Sequence, residues 1–369
     1  VDYAFAPNAD AYIGRVRAMF QRRANTTLIH QRRITTVRQF ISHLDTTGSI
    51  TKPIGDILLG AHANSEGHIF VDMFPGQSGS TKYETLEQTL TSTARSVRIP
   101  DTVIGYTTGD PLTHFVHFKG CNIGKVPRYL TKFKEALGDH VNVTAPKHFH
   151  GSTPVEDVGY FEYMAYEFEI FQKDAFADRA AAVTAFENAG FKRVDGSAMP
   201  QADWANLIPA RIDRTTETQI ASTLGVAIGG TRTILTPRQF RLRNVASISR
   251  TIQYADAGSV PSSDADRRQE LERVLRDDPR NAAGHAFPWY ERLGYTSFAS
   301  FFAGYTWTFR RNRNKLVCSG VRHEYTVVVP ITDVATGHLI FNFYPNAGSG
   351  HAAVTTGLQT TDAKFFAST

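Results

Sequence analysis

Apolar runs of strand length alternate with helical periodicity through the first 150 residues, and this alternation restricts the fold more than any other feature. DAYIGRVRAMFQR (10–22) places Tyr12, Ile13, Val16, Met19 and Phe20 on one helical face. TTLIHQRRI (26–34) reads as a short strand, and TTVRQFISHLDTTG (35–48) as a helix with a Thr start and a Gly48 stop. IGDILLGAH (54–62) is a compact apolar run that ends at His62, and HIFVDMF (68–74) is a second short strand. In GQSGSTKYETLEQTLTS (76–92), Thr81 and Glu84 have the spacing of a capping box. RSVRIP (95–100) reads as a weak strand, and HFVHFKG (114–120) as a buried one that stops at Cys121. VPRYLTKFKEALGD (126–139) has Pro127 in its first turn, one apolar face and a Gly138 stop, and VNVTAP (141–146) is the next strand.

Strands separated by helices predict βαβ units and a mainly parallel sheet flanked by helices. In such sheets ligands bind beyond the carboxyl ends of the strands. His62 and Cys121 each stand at one of those ends. After HFHGSTPVED the pattern changes. YFEYMAYEFEIF (160–171) is a long strand, and DAFADRAAAVTAFENAGF (174–191) a helix expected to be capped by Asp174 and stopped by Gly190. DADRRQELERVLRDD (264–278) is a charged helix. GYTWTF and KLVCSGVRHEYTVVVP flank the turn RRNRN as a hairpin, and HLIFNFYP (338–345) is a last strand. The expected class is therefore α/β, followed by an α+β region with antiparallel strands. The expected division is 1–155 and 156–369, with linkers at 150–157 and 255–266.

Composition narrows the function classes. A net charge of +5, with the charges scattered, permits an anionic partner but does not demand one. No apolar stretch approaches the ~20 residues of a membrane helix, so no membrane partner is expected. VDYAFAPNADAY (1–12) lacks the basic start and apolar core of a signal peptide. Two cysteines, Cys121 and Cys318, make no disulfide framework, which favours a reducing, cytoplasmic setting. Cys318 lies within KLVCSGV and reads as core.

A catalytic cysteine needs a base for its proton, donors for the oxyanion and a lowered pKa. Cys121 precedes the helix expected from Val126, with Lys125 between them, and His62 is the candidate base. These residues carry a resemblance. DILLGAHANSEG (56–67) and HFVHFKGCNIG (114–124) resemble the caspase-type cysteine peptidases: caspases, metacaspases, legumains, gingipains, separases and bacterial CHAT domains. The likeness covers about residues 24–150. It implies a caspase-like sheet and a thiol endopeptidase acting on a protein or peptide, without cofactor or metal. His62 would be general base and Cys121 nucleophile. The backbone N–H groups of Ala63 and Cys121 would form the oxyanion hole, with Gly120 and Lys125 in support. The same residues admit another reading, a non-catalytic binding or scaffold protein, because alanine stands at 63 where these peptidases usually have glycine.

Other motifs are weaker. His148 and His150 alternate in KHFHG and could join His62 or His114 around a metal, but no carboxylate partner is evident. GQSGSTK lacks the spacing of a phosphate loop, and no G-x-S-x-G occurs. RRNRNK (310–315) reads as a solvated hairpin tip, so nucleic acid is not an expected partner, although a basic module for polyanions is a third reading.

Overall fold

A computed structural model describes residues 2–30, 32–47, 55–77, 79–92, 96–100, 115–155, 157–212, 218–228, 232–279, 288–293, 295–356 and 358–369. The elements begin β1 (Asp2–Phe5), α1 (Ala11–Phe20), β2 (Thr26–Ile29), α2 (Val37–Thr47) and β3 (Ile57–Gly60). There follow the two-residue strands β4 (Ala63–Asn64) and β5 (His68–Ile69), then α3 (Tyr83–Thr91), β6 (Phe115–Lys119), a 3₁₀ turn (Ile123–Lys125), α4 (Pro127–Ala136) and β7 (Asn142–Pro146). Next come β8 (Phe149–Val155), β9 (Gly159–Gln172), α5 (Arg179–Asn188), α6 (Gln201–Leu207), β10 (Thr218–Ile228) and β11 (Arg232–Gln253). The series closes with α7 (Asp264–Arg276), α8 (Trp289–Arg292), α9 (Phe298–Ala303), β12 (Thr306–Asn312), β13 (Lys315–Pro330), β14 (Phe341–Pro345), β15 (Val354–Thr356) and β16 (Phe366–Ser368).

The chain forms two compact units. One comprises Val1–Glu167, Leu224–Thr236 and Val329–Thr369, and the other Phe168–Thr223 and Pro237–Val328. The segment 150–157, expected as a linker, carries β8, which pairs antiparallel with β9 from Phe149↔Ala165 to Val155↔Gly159. Its Gly, Ser, Thr and Pro content reads locally as loop, but the pairing is a tertiary matter that composition does not report.

In the first unit a six-stranded sheet runs β16-β7-β6-β3-β1-β2. β2, β1, β3, β6 and β7 pair parallel with one another in that order, and β16 is antiparallel to β7. This is the mainly parallel, helix-flanked α/β sheet that the alternation predicts. Strand order reverses between β1 and β3, so the crevice beyond their carboxyl ends is a topological switch point. Side chains alternate faces along each strand. Phe5 stacks on Phe40 of α2, with ring centroids 4.8 Å apart, and Phe118 meets Phe133 of α4 edge-on at 4.7 Å. On the other face Ala4 and Leu58 pack against Ile13, Val16, Met19 and Phe20 of α1. That face also receives β9, because Lys119 and Glu162 meet there.

Some local expectations shift. Thr81 does not cap α3: its hydroxyl donates to the Val71 carbonyl, and Lys82 is the N-cap, with Thr85 bonding back. α5 is capped by Asp178, which accepts from Ala181 N–H, and not by Asp174. Only His68–Ile69 of HIFVDMF is strand, paired with Ala63–Asn64, and residues 96–100 of RSVRIP carry no strand. Gly48 and His114 lie outside the described residues.

In the second unit, β11 and β13 pair antiparallel from Gln239↔Val328 to Gln253↔Lys315, with a register shift between Ala246 and Ile248. β12 and β13 form the expected hairpin around Arg313, which takes a φ of 55°. Cys318 is fully buried with Leu316, Phe301, Tyr305 and Trp307, and both cysteines are free.

Candidate functional site

Strand parity builds the site. β3 and β6 pair in register, Gly60 opposite Lys119, and the Ala61 N–H donates to the Lys119 carbonyl at 3.2 Å to extend the ladder. Residues 58, 60 and 62 point to one face, and so do 117, 119 and 121. Leu58 packs on α1 and Lys119 reaches β9, so the face shared by His62 and Cys121 is the one covered by α1 and β8–β9. The two chains stay close beyond the ladder. A Cβ on Gly120 would lie 2.4 Å from the Ala61 carbonyl oxygen and 3.1 Å from Ala63 Cβ. No side chain fits there, which is the physical reason for a glycine before the cysteine.

His62 is held from two sides. Its Nε2 lies 3.0 Å from Asp10 Oδ1. A carboxylate only accepts, so Nε2–H donates, and in the neutral ring the lone pair is on Nδ1. Asp10 follows β1 and is the N-cap of α1, accepting from the N–H groups of Tyr12 and Ile13. Desolvation pulls its carboxyl upward, but the Ile13 N–H and the His62 ring outweigh it and hold its pKa below the ordinary value. The Tyr12 ring rests on the imidazole, with centroids 4.8 Å apart and planes inclined by 37°. His62 and Asp10 side chains remain 44% and 41% exposed. The α1 N-terminus, an obvious place for a phosphate, is already filled by a carboxylate.

Cys121 is only 9% exposed, and its thiol donates to the His150 carbonyl at 3.7 Å. Burial, reinforced by Glu167, pushes the thiol pKa up to about 12, against a smaller downward pull from Lys125. The expected lowered pKa is therefore not found in this arrangement. α4 starts at Pro127 as expected, with the 3₁₀ turn between it and Cys121, and Lys125 donates its ammonium to the Glu167 carbonyl at 2.8 Å. Asn122, with a φ of 59°, sends its N–H to the His148 carbonyl at 3.0 Å and its side-chain amide to Glu167. The His62 ring and the Cys121 thiol do not hydrogen-bond to each other; each is engaged elsewhere.

The candidate oxyanion donors have a definable geometry on one side. The His62 carbonyl accepts from Phe70 N–H at 2.8 Å, so Ala63 and Ile69 form a non-hydrogen-bonded pair. The Ala63 N–H thus faces away from β5.

Below the pair lies a buried polar hub. Glu162 Oε1 accepts from Lys119 Nζ at 2.5 Å and from His150 Nε2 at 2.9 Å. Its Oε2 accepts from Tyr344 at 2.7 Å and from Asn342 at 3.2 Å. Four donors fill the carboxylate's acceptor sites. Burial would raise its pKa, but Lys119 and His150 hold it well below the usual carboxylate range. Burial lowers the His150 pKa despite Glu162, so the ring is neutral, with Nε2–H donating to Glu162. Nδ1 then accepts from the Tyr12 hydroxyl at 2.8 Å.

His148 and His150 do not share a site. The His148 ring packs on Tyr166 and Phe365, while His150 belongs to the hub. Among the described residues no group of three His, Cys, Asp or Glu side chains could hold a metal. Asp10, Tyr12, Lys119 and Glu162 stand in or beside the candidate site, and the sequence expectations did not place them there. The signals were present: an Asp between a strand and a helix face, and a Lys two residues before the cysteine inside an apolar run. No helix of the described residues is long and apolar enough to cross a membrane. Compared with protein families, curated proteins and solved structures, the chain matches none.

Proposed function

We propose that the first unit is a thiol hydrolase acting on peptide bonds, with Cys121 as nucleophile, His62 as general base and Asp10 as the group that orients the imidazole. The observation that carries this reading is the in-register parallel pairing of β3 with β6, which sets His62 and Cys121 at neighbouring carboxyl ends on one sheet face, beside Asp10 from the end of β1. A base oriented by a third group, next to a thiol, is the arrangement that nucleophilic catalysis requires. The resemblance of DILLGAHANSEG and HFVHFKGCNIG to the caspase-type peptidases supports the same assignment.

In the proposed reaction the thiol proton passes to His62 Nδ1 and the sulfur attacks the peptide carbonyl carbon. The N–H groups of Ala63 and Cys121 receive the oxyanion. Collapse of the tetrahedral species breaks the C–N bond, and His62 returns the proton to the leaving amine. Water, deprotonated by the same imidazole, then hydrolyses the thioester. For this the thiol must leave the His150 carbonyl and turn toward His62, so the arrangement described is a closed one.

A second reading is favoured by that closure. A buried thiol with a pKa near 12 suits a non-catalytic scaffold on the same sheet. The test is hydrolysis of a broad fluorogenic peptide library by the wild type, Cys121→Ala and His62→Ala. Cleavage by the wild type alone supports the hydrolase. If the wild type cleaves nothing and a thiol-directed peptide probe fails to label Cys121, the scaffold reading takes its place.

A further inference from the structure

We infer that Tyr12 is the positioning residue of this site, holding the His62 imidazole by a tether that runs through His150 to the buried Glu162–Lys119 pair. This deepens the hydrolase reading and rests on it only for the catalytic consequence. The tether is built from hydrogen bonds whose direction is fixed. Glu162 can only accept, so His150 carries its proton on Nε2. His150 Nδ1 is left as acceptor, so the Tyr12 O–H must donate to it, at 2.8 Å. The hydroxyl is thereby pinned and the ring cannot swing. That ring, its centroid 4.8 Å from that of His62 and its plane inclined by 37°, packs against the imidazole that Asp10 holds at Nε2.

His150 also accepts the Cys121 thiol on its backbone carbonyl. One residue therefore sets the place of the thiol directly and that of the base through Tyr12. The ring of Tyr12 is close enough to both that Cys121 and Glu162 add to burial in raising the phenol pKa well above its ordinary value. A tyrosine at the second position of α1 would pack as well without its hydroxyl. The hydroxyl is accounted for by the tether.

The test is the NMR signature of the His62 ring in the wild type, Tyr12→Phe and Glu162→Gln. In the wild type, Nε2 carries the proton and the ring protons are shifted upfield by the Tyr12 face. Tyr12→Phe keeps the aromatic ring but cuts the tether. Its His62 signals should move toward those of a freely rotating imidazole and broaden. Glu162→Gln, which touches neither His62 nor Tyr12's ring face, should produce a smaller change of the same kind from a distance, because a neutral amide oxygen replaces the charged acceptor of His150 Nε2–H. Where Glu162→Gln fails to fold, Tyr12→Phe carries the test, because it leaves the Lys119–Glu162 pair intact.

His62 signals in Tyr12→Phe identical to the wild type would overturn the assignment. If the wild type hydrolyses peptide, Tyr12→Phe should lower kcat roughly tenfold to a hundredfold with KM little changed, the size expected for a misplaced catalytic group. Moved His62 signals in a protein that cleaves nothing would leave the tether standing and remove the hydrolase.

Discussion

Gly120 has no room for a methyl group, and that fixes how closely the histidine and cysteine chains approach. The added Cβ would meet a backbone oxygen of β3's extension at 2.4 Å, and a backbone atom cannot swing aside as a flexible side chain can. Gly120→Ala is therefore expected to destabilise the protein by about 1–3 kcal/mol, the range for overpacking. Thermal unfolding reads this directly. An unchanged melting temperature would mean that the two strand ends are not in this contact. Cys121→Ala should behave oppositely: any hydrolysis is lost while the melting temperature stays close to that of the wild type. The thiol is small, and its weak donation to the His150 carbonyl is its only hydrogen bond among the described residues.

Among elements, β6 and β9 are joined by a buried charge pair, Lys119 and Glu162, at 2% and 1% side-chain exposure. Breaking such a pair strands a charge in a low-dielectric interior and costs about 3–5 kcal/mol, whereas replacing both partners by apolar groups is often neutral. Glu162→Gln should thus destabilise strongly in urea unfolding, and Lys119→Met combined with Glu162→Leu should recover much of the loss. A double variant as weak as the single one would assign the pair's importance to Tyr344, Asn342 and His150 instead. Helices and strands of this unit were legible where periodicity is local. Ile13, Val16, Met19 and Phe20 pack as their spacing indicates, and α4 begins at Pro127. The caps of α3 and α5 were not, because several hydroxyls and carboxylates compete there and backbone dihedrals decide between them. β8 was not legible either, since its Gly, Ser, Thr and Pro residues are strand only through their partner β9. For the same reason His62 and Cys121 could be read from strand ends, while Glu162, more than forty residues past Lys119 in the sequence, could not.

For the whole molecule the buried histidines act in one direction. Burial lowers the His148 pKa to about 4, and it lowers those of His117 and His150 as well. Below the ordinary histidine value of 6.5 the unfolded chain takes up protons that the folded one refuses. Stability is full above that value and declines as pH falls toward about 4. Glu162 and Asp56, both held low, extend the decline below the ordinary carboxylate range. The urea midpoint should therefore drop between roughly pH 7 and pH 5. An unchanged midpoint would place these imidazoles in water.

Another consequence follows from β16, whose residues 366–368 pair with Pro146, Ala145 and Thr144 of β7. The sheet that carries His62 and Cys121 is finished by a strand that leaves the ribosome on the order of 200 residues after β7, a wait of ten seconds or more at ~5–20 residues per second. Throughout that interval the outer edge of β7 offers unpaired N–H and C=O groups to any other nascent chain. A chain ending just before Phe366 should pellet from a translation extract where one ending at Thr369 stays in solution. Adding a peptide of residues 360–369 during synthesis, but not after it, should restore the shorter chain.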